Sequence, residues 1–233
     1  MEDKVNSLKK SIIILCFVFL IVLSIVIIST ISDQKLYNRN LCFSSQCIAT
    51  FSKELEGITS LIQAFGWFLI TFVTIYGVII ALRTYYAGVQ NNNNTNHTTH
   101  LTMFRDFANS ELAKRNSISP DKVNIYKWYS IMFPESRNGV FIASDSYIKM
   151  INEVRDVINQ ANCHITEVNK DYKYKVHQRN LILTFSKFGI VLSNGPKNTF
   201  VEVEGQLFEF VDVMNNSFST MRIELSKVDR KYI

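Results

Sequence analysis

The chain has 233 residues, 25 Lys and Arg against 20 Asp and Glu, and 47% hydrophobic residues. A mild positive balance does not demand a nucleic-acid partner, four cysteines do not make a disulfide scaffold, and the length allows one or two domains. The apolar residues are concentrated near the N-terminus, and that concentration sets the class.

After a flank at 1–10, residues 11–31 ("SIIILCFVFLIVLSIVIISTI") carry no charge. At about 1.5 Å per residue they reach roughly 31 Å, close to the hydrocarbon thickness of a bilayer. A cleavable signal sequence fits less well, because the run exceeds an ordinary h-region and no small-x-small site follows. Residues 58–82 ("ITSLIQAFGWFLITFVTIYGVIIAL") form a second uncharged run. Two spans of this kind define an integral membrane protein, with the bilayer as its first partner.

Charges flanking the spans are only weakly biased, with Lys4, Lys9 and Lys10 before the first and Arg83 after the second. Cys163 stands alone in the long polar tail, whereas Cys42 and Cys47 sit together in the 32–57 loop. That pair fits a small disulfide ring on an oxidising side and equally fits two reduced thiols. The resulting expectation places both termini in the cytoplasm and the 32–57 loop outside.

On a helical wheel the second span has two unlike sides. Gln63, Thr59, Gly66, Thr74, Gly77, Ala81, Thr84 and Gly88 fall, with Ile70, within about 60° of one another. Phe65, Phe68, Leu69, Phe72, Ile75, Tyr76 and Ile79 lie opposite. Small stripes let backbones approach in lipid, where hydrophobicity gives helices no reason to associate. Gln63, Gly66, Thr74, Gly77 and Ala81 are therefore the expected helix-packing positions. Either the first span or a second copy of the chain serves as partner, the latter giving a homo-oligomer.

Residues 83–96 form a membrane-exit segment. Arg83, Tyr85 and Tyr86 mark the interface, and Asn91 to Asn94 follow. Asn is a poor helix former, so a short break capped by Thr95 or Asn96 is favoured over one continuous helix. Beyond it His97, Leu101, Phe104 and Ala108 recur at helical spacing. His97 and His100 supply two nitrogens but lack a third ligand and the intervening Glu of a metalloprotease motif, so no metal or other cofactor is expected.

Residues 97–233 read as a predominantly helical cytoplasmic domain, making the fold class mainly α. In "SISPDKVNIYKWYSIMFP" Ser119 is the expected N-cap, Pro120 the first helical residue and Pro134 the stop. Ser144 caps the next helix, whose Tyr147, Ile151, Val154, Ile158 and Ala161 form one apolar stripe. A further helix is expected over 164–188, closed by Gly189. Residues 199–214 fit both a helix and a Gly205-centred hairpin, with helix preferred. Trp128, Tyr129, Phe133 and Phe141 are candidate core residues.

Catalytic patterns are scarce. "GIVLSNGPKNT" has the wrong glycine spacing for a phosphate loop, no nucleophile elbow occurs, and adjacent Cys163 and His164 seldom form a working pair. The chain is not expected to be an enzyme. "NKDYKYKVHQR" (169–179) sets Lys170, Lys173, Lys175 and Arg179 among tyrosines; such a patch suits phosphates or a solvated face. Direct nucleic-acid contact stays open. Of the charged residues, six basic and five acidic precede Arg83, leaving 19 against 15 from Arg83 onward.

The ordered patterns "NHTTHLTMF", "YKWYSIMFPESRNG", "SDSYIKMINEVRDVI" and "FVEVEGQLFEFVDVMNNSF", placed after two spans, resemble the two-span membrane effectors of bacterial retron defence systems, specifically the retron Ec-48 family. The resemblance implies an inner-membrane toxin of abortive infection. A reverse transcriptase bound to its RNA–DNA hybrid would restrain it. It carries no catalytic residues with it, only Asn96, His97, His100, Phe104, Phe133, Pro134, Ser136 and Arg137 as candidate junction or partner contacts. A non-toxic membrane-anchored adaptor is the rival reading.

Overall fold

Seven α-helices account for most of the described residues, 2–35, 44–166 and 172–233, in the computed structural model. They are α1 (Glu2–Asp33), α2 (Ser45–Glu54), α3 (Glu56–Ala113), α4 (Ile125–Met132), α5 (Asp145–Thr166), α6 (Tyr174–Lys187) and α7 (Lys197–Phe218). Among the described residues there is no strand, only an isolated bridge between Val123 and Ile190. The protein is mainly α, and the 199–214 segment lies wholly within α7. Two compact units, Met1–Thr84 and Tyr85–Ile233, divide the chain inside α3.

In the first unit α1 and the start of α3 pack as an antiparallel pair. Ile28 to Gln34 lie beside Glu54 at one end, while Phe19 stacks on Phe65 further along, with ring centroids 3.7 Å apart. The partly covered positions of α1 include Ile12, Leu15, Phe19, Leu23, Val26 and Thr30, at the three-and-four spacing of a left-handed seam, with Cys16 and Ile27 beside them. Ile58, Leu61, Phe65, Leu69, Phe72, Tyr76 and Ile80 answer them on α3. The remaining apolar surface is open: Phe17 is 64% exposed and Trp67 65%. Such a surface needs lipid.

Hydroxyls in these helices are satisfied locally, as lipid requires. Ser24, Thr30, Thr71, Thr74 and Thr84 donate to the carbonyls of Leu20, Val26, Trp67, Ile70 and Ile80 at 2.7–3.0 Å. The 32–57 segment, read as a loop, contains α2, whose N-cap Ser44 accepts from the Cys47 backbone N–H. Cys47 is disulfide-bonded. Its expected partner Cys42 lies outside the described residues.

The favoured break at the asparagines does not occur. α3 continues from Glu56 to Ala113 through Asn91–Asn94. Asparagine costs at most about 0.7 kcal/mol per helical residue relative to Ala. The apolar periodicity on either side outweighs it, and Asn91, Asn92 and Asn94 are simply exposed.

The second unit closes round one core that includes Phe104, Trp128, Tyr147, Phe185, Phe188, Phe208 and Phe210, each no more than 2% exposed. The α5 stripe Tyr147, Ile151, Val154, Ile158 and Ala161 is buried throughout, and Ser144 accepts from the Tyr147 backbone N–H at 3.2 Å. Two boundaries need correction. Ser119 and Pro120 open only a short 3-10 turn, Pro120–Lys122; α4 starts later, with Asn124 accepting from the Lys127 N–H. Tertiary pairing intervenes: Asn124 N–H donates to Gly189 O and Val191 N–H to Lys122 O, both at 2.8 Å. The helix expected from 164 begins instead at Tyr174, because α5 runs on to Thr166.

α7 carries three buried polar residues, of which Asp212 and Glu204 hold the final segment and Asn215 holds α5. Asp212 accepts from the backbone N–H groups of Leu225 (2.8 Å) and Ser226 (2.7 Å). Asn215 accepts from Tyr147 at 2.7 Å, and Tyr147 accepts from the Trp128 indole at 3.0 Å. Glu204 accepts from the Tyr232 hydroxyl.

Candidate functional site at the membrane-exit helix

Within the second unit one face of α3 presents Asn93, His97, His100, Leu101, Phe104 and Ala108 at intervals of three and four. Such a stripe must be covered. α4, the turn after it and the end of α7 cover it.

Phe104 is fully buried, with its ring edge-on to Trp128, Tyr129, Phe133 and Phe218 at centroid distances of 5.0–6.2 Å. One turn earlier His100 sits in a cage of rings. Phe141 lies 4.6 Å away, Phe133 4.9 Å and Phe218 5.7 Å, while Nδ1 is 3.0 Å from the Tyr129 hydroxyl. Burial holds His100 below the ordinary imidazole value, and the neighbouring His97 adds to the effect. Burial pushes the Tyr129 phenol up. Both groups are neutral near pH 7, so the cage holds a hydrogen bond between uncharged partners.

His97 reaches a different partner. Ser136 donates its one proton to the Phe133 carbonyl at 2.8 Å, so its oxygen accepts from His97 Nδ1–H at 2.9 Å. Ser136 is 2% exposed and bridges His97 and the Phe133 carbonyl. Both Nδ1 atoms are engaged, and among the described residues no three His, Cys, Asp or Glu side chains group as a metal site.

Of the positions singled out in the sequence, the fold brings His97, His100, Phe104, Phe133 and Ser136 together. Asn96, Pro134 and Arg137 are exposed beside the cluster. Asn93, Tyr129, Phe141, Phe218 and Gly139 complete the joint. The contact between Tyr129 and His100 spans 29 residues and left no local signal, whereas Gly139 after "SRN" was legible as a turn.

The membrane-packing candidates lie elsewhere. The seam with α1 uses the Phe65 side of α3, and the small stripe occupies the opposite side. Gln63, Thr74, Gly77 and Ala81 are exposed and Gly66 is partly covered. A side-chain carbon added at Gly66 or Gly77 would meet nothing within 4 Å.

Two apolar helices with open lipid-type surfaces, followed by a compact helical unit, define a two-span membrane protein with an α-helical domain. Residues 51–222 match the Retron Ec48 antiviral membrane protein family. The chain is also 51% identical over 235 residues to a protein described as a Retron Ec48 transmembrane protein from Escherichia coli, with 100% of both chains covered. It belongs to that family and is an antiviral membrane protein of retron anti-phage defence. No solved structure matches it.

Proposed function

We propose that the chain is the membrane toxin of its retron system, acting without catalysis by perturbing the bacterial inner membrane and so causing abortive infection. A reverse transcriptase with its RNA–DNA hybrid restrains it through the helical unit, with exposed Asn96 and Arg137 as contact points. Both termini are cytoplasmic.

The observation that supports this reading best is the division of labour on α3. Phe65, Leu69, Phe72 and Tyr76 are partly covered on the side that meets α1, while Gln63, Thr74, Gly77 and Ala81 stay exposed and open to a second copy. In lipid a small stripe favours close backbone approach, and polar Gln63 gains an amide partner when copies associate. The same continuous helix carries the His97–His100–Phe104 joint, so a partner that grips the joint holds the membrane helix itself. Release lets copies associate and the bilayer leak.

Expression in bacteria without the reverse transcriptase should collapse the membrane potential, read with a voltage-sensitive dye, and co-expression of the reverse transcriptase with its RNA should restore it. Cells that keep their potential with the protein inserted and unrestrained would instead point to the adaptor reading.

A further inference from the structure

α2 (Ser45–Glu54) has no buried residue, yet its two sides differ. At about 100° per residue, Ile48 and Phe51 fall within about 60° of each other, with the C-cap Leu55 between them. Gln46, Thr50 and Lys53 lie on the opposite side. Ile48 is 56% exposed and Phe51 52%. An apolar stripe of this kind must be covered, and among the described residues no part of the chain buries it.

The place of α2 in the fold limits what can cover it. It lies between the two spans, at the end of the hairpin where Glu54 stands beside Thr30, Asp33 and Gln34 of α1. Only Leu55 separates it from α3. The Leu55 N–H donates to the Phe51 carbonyl at 3.1 Å, and the N–H groups of Ile58 and Thr59 donate to the Leu55 carbonyl at 3.0 Å. Ile58 opens the uncharged run of the second span. The helical rise from Phe51 to Ile58 is at most about 10.5 Å. A headgroup layer is roughly 5–8 Å thick, so α2 is held at the membrane surface.

A second copy of the chain is a poor cover for this stripe. A stable interface takes about 800 Å² from each partner, and an aromatic side chain buries only about 150–250 Å². Lipid is already the cover for the open apolar surfaces of α1 and α3, and the Ile48–Phe51–Leu55 side continues them at their end. Helices with aliphatic and aromatic residues on one side and a cation on the other settle in the boundary between headgroups and acyl chains. Lys53, exposed on the polar side, reaches the phosphates along its apolar stem.

We propose that α2 is an interfacial helix, with its Ile48–Phe51–Leu55 side seated in the phospholipid leaflet at that end of the spans. The contact depends on the two spans alone and holds whether or not the protein is toxic. Full-length protein should be placed in vesicles of phosphatidylethanolamine and phosphatidylglycerol, with the photo-crosslinking residue p-benzoylphenylalanine replacing Ile48, Phe51, Gln46 or Thr50 singly. After irradiation, mass spectrometry of the intact chain reads the adducts. Phospholipid adducts from the Ile48 and Phe51 positions should exceed those from Gln46 and Thr50 several-fold. Equal lipid labelling at all four positions, adducts at Ile48 and Phe51 to a second copy instead of lipid, or no adduct at either overturns the proposal.

Discussion

Gly139 and Asn93 stand closer than any side chain at 139 would permit. A carbon added to Gly139 would lie 2.7 Å from Asn93 Oδ1, and the glycine adopts a left-handed φ of +82°. Gly139→Ala therefore carries a backbone penalty of about 1 kcal/mol and a smaller cost for displacing the Asn93 amide. Thermal melting should show the loss. In an Asn93→Ala background the clash vanishes and only the backbone part should remain, so the two changes are not additive.

Acid should loosen the joint through His100. Its imidazole is held below the ordinary value of 6.5 by burial, so the folded protein binds fewer protons than the unfolded chain between that lowered value and 6.5. Stability then rises with pH across the window. It is fully present above about 6.5 and is lost as the pH falls through the folded value. His100→Phe keeps a ring in the cage but cannot protonate. Denaturant midpoints measured from pH 7.5 down to 5.5 should fall less steeply for this variant than for the native chain.

Phe104 is the packing centre of the same joint. Truncation to alanine removes a fully buried ring from contact with four aromatic neighbours. The expected cost is about 3–5 kcal/mol, a large share of an ordinary domain's stability. Urea denaturation of Phe104→Ala should show a strongly lowered midpoint, whereas Met103→Ala, at a residue 59% exposed, should barely move it.

How much of this was legible depended on the range of the interaction. The two spans, the Tyr147-to-Ala161 stripe and its Ser144 cap are patterns within about twenty residues, and each has a local cause. The His97–His100–Phe104 face was readable as a stripe, but its covering was not, because Tyr129, Ser136 and Phe218 arrive from distant parts of the chain. Asn91–Asn94 misled because propensity is a weak prior against strong apolar periodicity on both sides. Ser119-Pro120 misled because the bridge from Val123 to Ile190 holds that segment out of the helix. The wheel separated the two sides of the second span correctly as chemistry. Which of them meets α1 was decided by bulky complementarity, with Phe19 against Phe65, and no wheel of one helix contains that.

The most direct measurement compares Gly66→Leu and Gly77→Leu with the native chain, all expressed without the reverse transcriptase and matched for membrane insertion by fractionation. A side-chain carbon added at either position meets nothing within 4 Å, so the substitutions are expected to spare the hairpin and keep a neighbouring copy at a distance. Native protein should depolarise the cells, and both variants should insert and leave the potential intact. Equal depolarisation by all three would contradict the account.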